Sequence, residues 1–134
     1  MNDQRDRGAL GIALALVVVV ALGGAGLVVD GGRAMAARRH AAGTAEAAAR
    51  SAVTRLSLRT GFDADVAEAT ARSYAQRAGI APADVDVDIV TGPTGTPQVN
   101  VTIIERRTAV FLALASVDEI TVRASGSAIV VWSS

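Results

Sequence analysis

The stretch GLVVDGGRAMAARRHA, Gly26 to Ala41, decides how this chain is built. It begins as the end of an apolar run and meets Asp30, Gly31, Gly32 and Arg33 where such a run would stop. It then continues so rich in alanine, the best helix former, that helix is expected to resume at once. Each glycine disfavours a helix interior by up to about 1 kcal/mol, so the pair marks either a pivot within one helix or a break between two.

Upstream, Ala9 to Val29 is a run of 21 residues without a charged or strongly polar side chain. At about 1.5 Å per residue it reaches roughly 32 Å, close to the roughly 30 Å of a bilayer core, and reads as one transmembrane helix. A chain of 134 residues has no core wide enough to surround such a run as a soluble helix. A cleaved secretory signal would have about 7 to 15 apolar residues after a basic start and a small-x-small site. Here the run is longer, MNDQRDR is of mixed charge, and only GAG (Gly24 to Gly26) approaches a cleavage site, so an uncleaved anchor is expected. Arg33, Arg38, Arg39 and Arg50 beyond the run outnumber Arg5 and Arg7 before it. A bare positive-inside count would keep the C-terminal part in the cytoplasm, although long translocated domains follow that rule weakly.

Downstream, Ala34, Ala37, Ala41, Ala45, Ala48, Ala52 and Leu56 recur every three or four residues, while Arg39, Glu46 and Arg50 take the opposite face. With Gly11 and Ala15 inside the apolar run, these small residues are the candidate helix-packing positions, where another helix can approach closely. Residues 30–60 thus read as a basic helical stalk ending near Arg59, Thr60 and Gly61. A short second helix starts at Asp63 or Asp65, the latter in capping-box spacing with Glu68, and runs to Gly79 ahead of Pro82.

From Val85 the period becomes two. VDVDIV (Val85 to Val90), VNVTI (Val99 to Ile103) and ITVRASGSAIVV (Ile120 to Val131) read as strands, with Gly126 a bulge or bend in the third. TGPTGTPQ between the first two is a hairpin loop; TAVFLALASV between the second and third is either a short apolar helix or a buried strand. The fold class is α+β: one N-terminal transmembrane helix continuing into an Ala-rich stalk, a short helix, and a small antiparallel sheet of three or four strands. The divisions are 1–8 (N-terminal), 9–29 (span), 30–60 (stalk) and 61–134 (small α+β domain).

Composition excludes several functions. Zero cysteine removes disulfides, thiolate metal sites and cysteine nucleophiles. Zero net charge removes the basic field of a nucleic-acid binder. The balance hides a segregation of −1 over residues 1–30, +5 over 31–60 and −4 over 61–134, which suits contact of the stalk with an acidic head or anionic lipid. Aromatics are 3% of the chain, so the core must be built from Ala, Val, Ile and Leu.

No catalytic set emerges. His40, the one histidine, lies beside Arg38 and Arg39 and reads as a surface residue; SGS (Ser125 to Ser127) lacks a nucleophile-elbow context. Asp84, Asp86 and Asp88 alternate with valine as a solvated sheet face does, without a calcium-loop pattern. The expectation is a non-enzymatic protein with no metal and no cofactor.

Arg7-Gly8 before an apolar span, VVDGGRAMAARR (Val28 to Arg39), Glu46 and AAARSAV (Ala47 to Val53) resemble the TadE/TadG-like proteins of the tight-adherence (Flp) pilus assembly system; SGSAIVVW (Ser125 to Trp132) partly echoes their closing strand. The resemblance implies a cytoplasmic N-terminus, a single-pass cell-membrane location, an extracytoplasmic C-terminal domain and a role in assembling or anchoring a surface pilus or related secretion apparatus. Membrane lipid and other pilus-assembly subunits, or self-association through helices, are the implied partners. Asp30, Gly31, Gly32 and Arg33 form the membrane-exit motif, and the spacing of Asp30 and Arg33 suggests an ion pair. Processed pilins carry glutamate five residues after the cleaved glycine; Ala13 stands there after Gly8, which favours an unprocessed subunit. The alternatives are a processed minor pilin (pseudopilin) in the fibre and a membrane-tethered binding or sensory module using the TGPTGTPQ loop.

Overall fold

A computed structural model describes residues 3–54, 61–93 and 95–131. Two helices, α1 (Asp3–Thr54) and α2 (Ala64–Arg77), precede three strands, β1 (Val85–Thr91), β2 (Pro97–Thr108) and β3 (Glu119–Ile129). The fold is α+β, with an antiparallel sheet in the order β1-β2-β3. Short 3-10 segments, Pro82–Asp84 and Leu112–Ala115, lead into β1 and bridge β2 to β3.

Helix α1 runs 52 residues without interruption, on the order of 78 Å. Of the two readings of Gly31 and Gly32, the break is not taken: both are helical and exposed, and a methyl group added at either would meet nothing within 4 Å. The alanines on their C-terminal side make propagation favourable enough to carry the helix across them. The helix is long and apolar enough to cross a membrane, and almost none of its most apolar window is covered by the rest of the chain. The stripe position Leu56 and the stalk end at Arg59 and Thr60 lie outside the described residues.

Helix α2 starts at Asp63, whose Oδ1 accepts N–H bonds from Asp65 at 3.0 Å and Val66 at 3.2 Å. Asp65 is therefore not the cap, and Glu68 pairs forward with Arg72 at 2.9 Å. The helix ends in a Schellman motif. Gly79, at φ +89°, donates to the Gln76 carbonyl, and buried Ile80 donates to that of Ala75.

The sheet shows why β3 carries small residues. Its inward rows are Ile89, Val99 and Ala128; Val87, Val101 and Gly126; Val85, Ile103 and Ala124. Side chains shrink toward β3, where α1 lies closest, and Ala41, Ala45, Ala48 and Ala52 of α1 are fully buried there with Ala67, Ala71 and Ala75 of α2. Gly126 is neither bulge nor bend, since the β2–β3 register continues through Val101 opposite it. A methyl group at Gly126 would collide with the Glu46 nitrogen and stand 2.6 Å from the Ala45 carbonyl carbon, so the glycine marks a close approach of strand to helix. The opposite sheet face is polar, with Asp86, Asp88 and Ser125 exposed and Thr102 hydrogen-bonded to Ser125 at 2.9 Å.

Candidate functional site

Where the apolar run of α1 ends, Asp30 is fully buried. The connection between β2 and β3 supplies its partners. Asp30 Oδ1 accepts the Val110 N–H at 3.0 Å, and Oδ2 accepts those of Phe111 at 2.9 Å and Leu112 at 2.7 Å. These are N–H groups at the start of the 3-10 turn Leu112–Ala115, which have no acceptor within the turn itself. A carboxylate from a residue 82 positions earlier in the chain thus caps the turn. The Leu112 amide, then those of Val110 and Phe111, hold the Asp30 carboxyl below the usual carboxylate range against the opposing effect of burial; the Arg33 charge adds to the lowering.

The loop closes on itself around this clamp. Ala109 donates to the Asp118 carbonyl at 2.9 Å, Val117 to that of Leu112 at 3.0 Å, and Ser116 adopts the left-handed conformation that ends the turn. Phe111 packs against Gly26, where a methyl group would come within 2.5 Å of its ring. The loop's apolar side chains and Val19, Leu22, Gly23 and Leu27 of α1 border one groove of about 620 Å³.

A second polar cluster sits one step further along α1. His40 Nδ1 lies 2.9 Å from Glu105 Oε2, and Arg107 pairs with the other oxygen of the same carboxylate. His40 is half-exposed but is not a bare surface residue, because Glu105, the last buried position of β2, holds both it and Arg107. Arg106 pairs with Asp84, which leaves the acidic face formed by Asp86 and Asp88.

The structure therefore sorts the residues singled out from sequence. Asp30 is brought to the loop, not to Arg33, which is exposed and forms no ion pair with it; three backbone amides engage both carboxylate oxygens instead. Gly31 and Gly32 face open space among the described residues, where an added methyl group would meet nothing within 4 Å. Among the packing positions, Ala37, Ala41, Ala45, Ala48 and Ala52 are buried inside the fold, Ala34 is half-buried, and Gly11 and Ala15 are exposed. TAVFLALASV contains the short helical turn, not a fourth strand. The residues that reasoning from sequence passed over are Gly26, Phe111 and Leu112. Their signal was an uncharged stretch from Ala109 to Val117 with no alternation to make it a strand.

Residues 8–55 match the family model described as putative Flp pilus-assembly TadE/G-like. The match contains the apolar run, Asp30 to Arg33 and the alanine stripe; the sheet and the loop that Asp30 holds lie beyond it. No curated protein and no solved structure gives a match.

Proposed function

We propose, with the TadE/G-like segment at residues 8–55 as premise, that this chain is a non-enzymatic, membrane-anchored accessory subunit in the assembly or anchoring of a Flp-type pilus. The observation that carries the reading is the bare apolar part of α1, which lies inside the matched segment and is left uncovered by its own fold. In this reading residues 9–29 cross the bilayer, residues 1–8 stay cytoplasmic, and the sheet with α2 and the Ala37–Val53 part of α1 is displayed outside. The buried alanines hold that domain to the end of the span, so the anchor and the displayed domain move as one body. Other pilus-assembly subunits are the partners.

Reporters fused at the N-terminus and after Ser134 test the topology, and deletion with complementation in the native host tests the role in pilus formation. A cytoplasmic C-terminus, or unchanged piliation in the deletion strain, refutes the proposal. A mature chain beginning at Ala9 by mass spectrometry would favour a processed minor pilin instead.

A further inference from the structure

We propose that the Val110–Val117 connection is a second membrane-embedded element, a loop that dips into the lipid leaflet on the side of the folded domain and lies against α1 among acyl chains. The inference rests on the reading that α1 spans the bilayer. Three independent features of the loop carry it.

The first is depth. Val19, Leu22, Gly23 and Leu27 border the same groove as Phe111, Leu112 and Leu114. Counting back from Asp30 at about 1.5 Å per residue, those helix positions lie roughly 5 to 16 Å inside the end of the apolar run. The loop therefore descends past the boundary that Asp30 marks and reaches into the leaflet, within a hydrocarbon core of about 30 Å.

The second is surface chemistry. No charged residue stands between Arg107 and Asp118. Leu114 is 87% exposed, and Val110, Phe111 and Val117 are also exposed. An apolar cluster of this kind facing water is unfavourable in a domain whose sheet face is otherwise polar. It is continuous with the exposed Val19, Leu22 and Leu27 of the helix, so the surface that meets lipid on α1 extends onto the loop.

The third is the state of the loop's backbone. Irregular backbone at membrane depth is tolerated only where its polar groups are satisfied internally. Asp30 takes the N–H groups of Val110, Phe111 and Leu112; carbonyls of the loop and its flank take those of Ala109, Leu114, Ser116 and Val117. Because Asp30 accepts these three consecutive amides from within the fold, they need no water as a partner at that depth. Asp30 thereby acts as the device that lets a non-helical segment enter lipid beside the span.

The chain has no cysteine, so single-cysteine variants carry one label each. Leu114→Cys, Val117→Cys, Leu22→Cys and Ser125→Cys would be labelled with a polarity-sensitive fluorophore, reconstituted as full chains at high lipid-to-protein ratio in phosphatidylcholine vesicles, and quenched by brominated acyl chains or by aqueous iodide. These positions are exposed in the fold, so labelling removes no core contact. The expected result is loss of emission at Leu114 and Val117 with brominated lipid, as at Leu22, and protection of all three from iodide, while Ser125 behaves in the opposite way. Quenching of Leu22 by lipid with iodide access at Leu114 and Val117 overturns the loop inference and leaves the anchor standing. Iodide access at Leu22 removes the anchor itself. Shielding of Leu114 from both quenchers means that a second copy covers the loop, which also overturns lipid contact.

Discussion

Replacing Gly126 by alanine drives a methyl carbon into the Glu46 nitrogen and places it 2.6 Å from the Ala45 carbonyl carbon and the Glu46 Cα. Carbon atoms in contact normally stand about 3.5 to 4 Å apart, so α1 and β3 must separate by roughly 1 Å. The obstacle is main chain on both sides, and no rotamer change relieves it. A gap of that size along Ala41, Ala45, Ala48 and Ala52 forfeits a quarter to a half of each contact's dispersion energy. Overpacked cores lose about 1 to 3 kcal/mol, and the rigidity of this contact puts the expected loss near the upper end. With a sensitivity of roughly 4 to 8 °C per kcal/mol for a domain of this size, the midpoint of the folded domain should fall by about 10 °C or more. The assay is thermal unfolding of the full chain in mild detergent, read by exchange of the buried Val101 and Ile103 amides so that the membrane helix does not dominate the signal. Gly31→Ala is the matched control: the residue is helical and unopposed, so alanine should raise stability by up to about 1 kcal/mol. Equal midpoints for Gly126→Ala and the parent, or a loss shared by Gly31→Ala, would refute the close-approach argument.

Asp30→Ala should leave the Val110, Phe111 and Leu112 amides without their acceptor and speed their hydrogen exchange well above that of Val101; unchanged protection would mean that the loop is held some other way. Asp30 also sets a pH dependence. Its carboxyl is lowered from 3.8 in the fold, so its stabilisation is complete above that ordinary value and is lost as pH falls through the lowered one. The stability difference between the parent and Asp30→Asn should therefore shrink on acidification, and a difference that stays constant to strongly acid pH would contradict the clamp. Glu105→Ala should cost about 0.5 to 1.5 kcal/mol, because His40 and Arg107 lose their shared acceptor but are half-exposed and can turn to water, whereas Glu46→Ala, in an exposed pair with Arg50, should stay within about 0.5 kcal/mol by denaturant titration.

Much of the architecture is legible locally. The unbroken apolar run, the alternation of VDVDIV and VNVTI, the Asp63 cap and the Gly79 terminus are set by neighbours within a few residues, where helix and strand periods and capping chemistry act. The alanine stripe was also visible, but its destination was not: a run of small residues permits close approach without naming what approaches. The same holds for Gly126, which is compatible with a bulge until α1 is seen across from it.

By itself, the sequence determined the elements, the anchor-like helix and the TadE/G-like segment at its start. Only the tertiary structure decided that Asp30 serves three amides about 80 residues away instead of Arg33, that Phe111 lies on Gly26, and that Glu105 joins His40 to Arg107. The reason is physical. Period and propensity report what each residue does to its own turn or strand, whereas a buried carboxylate takes whichever donors the folded chain delivers, and that delivery depends on the path of the sheet.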